Sequence, residues 1–496
     1  MALGISFGFS ELDQPLSFAL AFLYLASLLL IGILTVRKNQ SGRDYFLAGG
    51  RLGLFPLVLT TMASIMSGFV FVGGPGLFYQ IGLSSFWIVI SSSFTGAMMC
   101  WVLARPLIEL TKEHGCLTLP DVILARYNCR CSAGLAAIGI LLGVIGYLAT
   151  QLQALGVICS SLLGTNPTVA LLIAIGVVAF YSVAGGMVAS VYTDVVQGVI
   201  MVWAATLVFY FAISSSQGME NLSMSFLKSD PASLSPWGTV GVFGALSWFF
   251  VFSIGSLGQP HVVNKFMMIR NHRVLKFFPL ALAVSMLLCS LIWLGSGLAV
   301  KGLVLANLIP KLSDPDRAIT VFLQLIAPKW LASLTYVGIV AAIMSTTDTF
   351  VNVGASVLSR DIPRLAGQPV KRAVLWGRVS AGMLFVLALF FAYHTDSLVA
   401  YLGIFAFGSF AALLTPSLAI GLNWQSAGPW AARSSMLVGI GCTVLLETMN
   451  RTGYYSLQIS PAALSLNLSL LTFLICGALA NRHFPGSRLL AVSSPD

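Results

Sequence analysis

Three carboxylates stand inside otherwise apolar runs, Asp194, Asp348 and Glu447, while the other acids fall in loops, tails or the ends of runs. A charged side chain at the centre of a bilayer costs about 2.5 kcal/mol or more, so each needs a partner, a proton or water. Asp348 has the richest surroundings, in Ala341-Ala342-Ile343-Met344-Ser345-Thr346-Thr347-Asp348-Thr349. On a helix, Ser345 shares a face with both Asp348 and Thr349, and Ala342 lies one turn back on it. Hydroxyl, carboxylate and carbonyl oxygens gathered together are hard ligands, suited to a hard cation such as sodium. Asp194, in Tyr192-Thr193-Asp194-Val195-Val196-Gln197, lies one to two turns into its run; Glu447 lies near an outer end, within reach of water. No Lys or Arg is expected at comparable depth, so a direct salt bridge is not the obvious compensation. A protonated carboxyl, a carboxylate bonded to helix ends or water, and a carboxylate holding a cation all stay open. Taken singly, Ser345 and Thr346 read as well as hydroxyls bonded to the carbonyl four residues back, or packed on a neighbour.

The elements that position these groups follow from composition. The 496 residues are 57% hydrophobic and 8% charged, with mean hydropathy +0.92. A soluble domain carries roughly 25% charged residues, so here the bilayer must be most of the solvent. Thirteen spans are expected, near 17–36, 53–82, 84–110, 132–163, 168–186, 188–214, 238–260, 275–302, 328–357, 372–394, 396–424, 430–449 and 460–481. Each is long enough to cross a hydrocarbon core of about 30 Å, and their continuous rather than alternating hydrophobicity excludes a barrel. The net charge of +10 would suggest nucleic acid in a soluble chain. Here it reads as orientation: twenty Lys and Arg fall on one side of the spans and six on the other. That puts the amino terminus outside and the carboxyl terminus in the cytoplasm of a multi-pass plasma-membrane protein. The eight cysteines form no metal-type pair, and Cys129-x-Cys131 is too tight for a zinc knuckle, so small hydrophobes rather than a disulfide framework are expected. No cleavable signal peptide is expected before the first span, which is flanked by Glu11 and Asp13. The outer loops are too short for a soluble domain, though residues 316–323 suit a short amphipathic helix.

Two spans look interrupted. The 53–82 span reads Ala63-Ser64-Ile65-Met66-Ser67-Gly68, then Gly73-Gly74-Pro75-Gly76. The 238–260 span ends Ser253-Ile254-Gly255-Ser256-Leu257-Gly258-Gln259-Pro260-His261. Glycine and proline loosen the hydrogen-bond ladder and free carbonyls to face a cavity, though a kink with glycine packing would leave the same trace. The interruptions fall in the first span of each of two five-span sets, the pointer to an inverted-repeat transporter with its site at the midplane. The divisions are then 1–52 (tail, first span, loop), 53–214 (first repeat), 215–424 (second repeat with outer loops) and 425–496 (two last spans and tail).

The run Asp44-Tyr45-Phe46-Leu47-Ala48-Gly49-Gly50-Arg51, the Gly-Gly-x-x-Ala-Ser-x-x-x-Asp pattern of 185–194, Gln259-Pro260-His261 and Ala341–Thr346 together resemble the sodium:solute symporter family. That family includes proline, pantothenate, sialic acid and sodium–glucose transporters. The resemblance implies an all-α integral membrane fold of about 13 helices. These form a LeuT-like 5+5 inverted-repeat core with one extra N-terminal and two extra C-terminal helices. It implies a principal sodium site built from carbonyls of Ala63, Met66 and Ala342 and hydroxyls of Ser345 and Thr346. A second sodium site, present in some members, maps to Asp194, Ser345, Asp348 and Thr349. The family more often has a small polar residue at 348, so the aspartate is a departure. Proline symporters carry an aspartate at the position of Ile65 and aromatics at those of Phe252 and Ser256; Tyr147 matches a tyrosine of theirs. Pantothenate-type members lack that acid and share Gly73-Gly74-Pro75-Gly76.

These features lead to the expectation of a sodium-coupled symporter importing a small polar organic solute, an amino acid such as proline or a carboxylate such as pantothenate. Its partners would be the solute, sodium ions and the lipid bilayer, with no organic cofactor and no nucleic acid, and a single chain as the functional unit. Ser67, Phe69, Val70, Tyr147, Phe252 and Ser256 are the expected solute neighbours, each equally readable as core packing. Proton coupling through Asp194 or Asp348 and a transporter-like solute sensor are the alternatives. An enzyme is not expected, because His114, His261, His272, His394 and His483 read as lying at ends and in loops with no nucleophile beside them.

Overall fold

A computed structural model describes residues 14–36, 52–163, 166–215, 219–269, 271–368, 373–394 and 398–483. The Asp44–Arg51 motif lies outside them. Ten helices among the described residues are long and apolar enough to cross a bilayer, with two shorter apolar segments at Ala19–Leu28 and Leu54–Ile65. No strand occurs among these residues; one isolated parallel bridge joins Leu52 to Ile269.

The elements around the centre are α1 (Gln14–Val36), α2 (Leu54–Ile65), α3 (Gly74–Ile81), α4 (Arg130–Leu163), α5 (Pro167–Ser215), α6 (Gly241–Ile254) and α7 (Pro260–Met267). They continue with α8 (Phe278–Leu305), α9 (Lys329–Ser356), α10 (Ala373–Tyr393), α11 (Val399–Thr415), α12 (Pro429–Arg451) and α13 (Pro461–His483). α9 and α11 are the central pair: 83% of the apolar window of each is buried, against 33% for α12, which faces outward. α9 packs on α4 and α5, and α11 on α4. Two spans are expected to meet near residue 187, yet α5 is described as one helix. Glycine lowers helix propensity by only about 1 kcal/mol, so the Gly185-Gly186 pair does not by itself impose a turn. The expected outer amphipathic segment is present as a short helix, Ala318–Leu325.

Both expected interruptions exist, but one sits elsewhere than its glycines suggest. The first helix breaks at Met66, whose ψ of 96° is extended, and resumes through a π turn at Phe69–Gly73. Gly73-Gly74-Pro75-Gly76 is helical, which corrects the expectation that this run opens the backbone. These glycines serve packing: a Cβ on Gly74 would lie 2.2 Å from the Trp293 ring, and one on Gly73 would lie 2.7 Å from the Ala400 nitrogen. The second break is a 3-10 turn, Gly255–Gly258, followed by Gln259 with ψ 111°. Pro260 causes it, because a residue before proline is pushed out of the helical region. Gly258 is required where this turn meets α11, since a Cβ there would lie 2.8 Å from the Phe410 carbonyl oxygen.

Each break leaves backbone groups unbonded, and a glutamine answers at each. Gln151 of α4 accepts from the Gly68 N–H at 2.9 Å. Gln259 donates through Nε2 to the carbonyls of Gly255 (3.2 Å) and Phe407 (2.9 Å).

Candidate functional site

The Met66 N–H bonds to the Met62 carbonyl, after which the ladder of α2 stops. The carbonyl of Ala63 is met instead by hydroxyls from α9. Ser345 Oγ lies 2.8 Å from it and 3.0 Å from the Ala342 carbonyl. Thr346 Oγ1 lies 3.5 Å from the Ala63 carbonyl and 3.4 Å from that of Ser64. All of these residues except Ala342 lie at or beside the break, and Ala63, Ala342, Ser345 and Thr346 are each 0% exposed. The result is a set of uncharged hard oxygens from two helices, the chemistry that suits an alkali cation. Met66 stands at the break and also lines the adjoining cavity.

The residues of the second expected set make the following contacts. Thr349 Oγ1 donates to the Ser345 carbonyl at 3.0 Å and lies 3.3 Å from Ser64 Oγ. Asp348 is 4% exposed, so its carboxyl is turned away from lipid. Tyr24 of α1 lies within electrostatic reach of both Asp348 and Asp194. Its hydroxyl accepts from Gln197 Nε2 at 2.7 Å.

Asp194 is compensated by a cation, which corrects the expectation that none shares its depth. Lys265 Nζ lies 3.1 Å from Asp194 Oδ2, and both side chains are 0% exposed. Thr60 completes the cluster, donating to the same Oδ2 and accepting from Lys265 Nζ at 2.8 Å. Lys265 reads as a loop residue because proline normally ends a helix. Here Pro260 starts α7, which carries Lys265 back into the interior. The signal was the lone lysine inside Val262-Val263-Asn264-Lys265-Phe266-Met267-Met268-Ile269. Glu447, by contrast, has Arg451 one turn away at 3.0 Å.

Between the two breaks lies a cavity of about 30 Å³, lined by Met66, Phe69, Val70, Tyr147, Phe252 and Ser256, with Thr95, Gln259, His261, Trp293 and Phe407 among the rest. Five of the six expected solute neighbours line it. Ser67 does not, but its hydroxyl is 3.5 Å from that of Tyr147. His261, expected at a helix end or in a loop, is 1% exposed and faces this cavity, carried inward by the same restart of α7. Gln259 Oε1 and His261 Nδ1 are buried without a hydrogen-bond partner. Among the described residues, no acid and no Lys or Arg lines the cavity.

The sodium:solute symporter family model matches residues 45–439. The chain belongs to the sodium:solute symporter family. It is 26% identical to a sodium/pantothenate symporter of Haemophilus influenzae, with 91% of this chain and 93% of that one aligned. It is 28% identical to the high-affinity proline transporter PutP of Bacillus subtilis, with 88% and 94% aligned. A sodium-coupled sialic acid symporter, solved in a substrate-bound outward-open state, superposes with a TM-score of 0.75 at 18% identity, covering 95% of this chain and 98% of that one. The fold of this family member is thus the LeuT-like arrangement of a membrane transporter, and the chain is not an enzyme.

Proposed function

We propose that this family member is a sodium-coupled symporter that imports a small organic carboxylate by alternating access, with one chain as the working unit. The observation that carries the reading is the meeting of Ser345 and Thr346 with the freed Ala63 carbonyl at a helix break, next to a cavity that shares Met66. A sodium ion bound by Ala63, Met66, Ala342, Ser345 and Thr346 ties α9 to α2 and fixes the break that shapes the cavity. Ion and solute then favour the same conformation, a reciprocal coupling typically worth about 1–3 kcal/mol. The Lys and Arg asymmetry supports an outside amino terminus, and import would run with the inward sodium gradient.

Cavity chemistry narrows the solute. A solute carboxylate finds positive potential at the N-terminal ends of helix segments beside the breaks and at the sodium ion. An ammonium group finds no carboxylate there among the described residues that line the cavity. This favours a hydroxyl- and amide-bearing acid of the pantothenate kind over an amino acid such as proline, with Gln259 Oε1 and His261 Nδ1 as its polar contacts. Thermal shift of the purified protein with pantothenate and with proline, each with and without sodium, is the test. Stabilisation by pantothenate only with sodium present is expected. Stabilisation by proline alone refutes the substrate class, and uptake undiminished when choline replaces sodium refutes the coupling.

A further inference from the structure

We infer that the pocket between the ends of α6, α11 and α12 read above as outer is a second ligand site, which takes a small organic cation with an aromatic body and clamps α6 to α11. Its volume is about 220 Å³, against about 30 Å³ for the cavity between the breaks. Trp248, Tyr401, Phe405 and Tyr455 supply aromatic walls, and Glu447 is the one charged residue among the described residues that line it. A carboxylate facing aromatic rings attracts a cation twice, by its charge and through the ring quadrupole. The chain's own guanidinium shows this chemistry: Arg451 Nε donates to Glu447 Oε1 at 3.0 Å, and its Cζ stands 6.0 Å from the Phe405 ring centroid. That guanidinium can leave, because its side chain is 40% exposed and sits in the last turn of α12. Exposed pairs four residues apart on a helix are weak, so an incoming ammonium displaces it at little cost.

The walls of this pocket are held by bonds of their own. Residues 452–460 turn from α12 into α13, and the turn is docked on α6 by the Ser460 N–H, which donates to Ser247 Oγ at 3.0 Å. The Tyr455 hydroxyl donates to the Ile459 carbonyl at 2.7 Å and fixes one wall. Tyr401 is held from the other side, its hydroxyl 3.3 Å from Gln80 Oε1 of α3. Trp248 and Ile404, which line this pocket, stand one turn outward from Phe252 and Phe407, which line the central cavity and stack at 4.4 Å. α6 and α11 thus carry both sites, and an occupant touching both helices resists the parting of that stack. Such contacts, present in one arrangement and lost in the other, are what let a ligand shift an equilibrium.

Isothermal titration of the purified chain with benzyltrimethylammonium, in potassium buffer without sodium or transported solute, tests this. Saturable binding of one probe per chain is expected, whereas phenylacetate and benzyl alcohol, which carry the same ring without the positive charge, should not saturate over that range. Glu447→Gln should weaken binding about tenfold, through loss of a charge-assisted contact. Arg451→Met should do the opposite and tighten it, because the competing guanidinium is gone; a pair that only braces the helix would move both variants the same way. Hydrogen exchange should slow with bound probe at the outer turns of both α6 and α11. No saturable binding, equal binding of phenylacetate or benzyl alcohol, unchanged affinity in Glu447→Gln, or weaker binding in Arg451→Met overturns the cation site. Exchange slowed on one helix alone overturns the clamp. None of these readouts involves sodium or the transported solute, so their failure is distinct from a failure of the coupling proposed above.

Discussion

Removal of the Ser345 hydroxyl is the sharpest test of the ion site. Ser345→Ala deletes one of the five proposed ligand oxygens and leaves the Ala63 carbonyl with Thr346 Oγ1 at 3.5 Å as its remaining hydroxyl neighbour from α9. The side chain is 0% exposed, so water does not replace it cheaply. Loss of one partner of a buried polar group costs about 1–3 kcal/mol. Borne by the sodium complex, that is a rise of roughly 5- to 150-fold in the sodium concentration for half-maximal uptake. The assay is initial uptake in proteoliposomes at saturating solute, with choline holding ionic strength constant. Thr347→Val is the control, because Thr347 Oγ1 bonds within its own helix to the Ile343 carbonyl at 2.7 Å. A folded Ser345→Ala variant within about twofold of wild type, or a Thr347→Val shift as large as that of Ser345→Ala, would refute the placement of sodium at this break.

Three other outcomes are expected. Gly74→Ala drives a Cβ to 2.2 Å from the Trp293 ring, so the variant should melt earlier by an overpacking cost of about 1–3 kcal/mol and lose solute binding as Trp293 shifts into the cavity. Gln151→Leu strips the Gly68 N–H of its acceptor, at a cost of about 1–3 kcal/mol, and should weaken sodium-dependent thermal stabilisation by solute more than it lowers the melting temperature of the free protein. The third concerns pH. In the turn Pro315–Arg317, outside the spans, burial pushes the Asp316 carboxyl up from 3.8 to about 7, opposed by the Val399 N–H and aided by Asp314. An acid with a raised folded pKa binds more protons folded than unfolded, so its contribution to stability falls as pH rises from about 3.8 to about 7. Hydrogen exchange at Val399, whose N–H meets Asp316 Oδ2 at 2.8 Å, should quicken over that window beyond its intrinsic pH dependence, and Asp316→Asn should abolish the excess.

What could be read from the sequence was set by how local each signal is. Ser345, Thr346 and Ala342 share one helix, so oxygen type and helical spacing suffice to group them, and the resemblance supplies Ala63 and Met66. Lys265 was hidden because its depth depends on whether the chain leaves the bilayer at Pro260 or restarts there, and local pattern favours the exit. His261 does stand at a helix end, and its burial depends on the same restart. Gln151 gives no charge signal because an amide carries none, although its place in a long apolar run is visible. The glycines at 73–76 announced close approach, but sequence cannot tell a backbone opened for an ion from one pressed against Trp293 and Ala400.

The hollow between the breaks has a kinetic corollary. A void needs about 10–15 Å³ for one water, so about 30 Å³ admits two or three at most. A solute with a carbon skeleton enters only after aromatic walls such as Phe69, Phe252 and Phe407 part, and the receptive form is then a minor fraction of the resting ensemble. The apparent Kd is the intrinsic Kd divided by that fraction, so a substitution that merely props the walls open would tighten capture while touching no ligand atom.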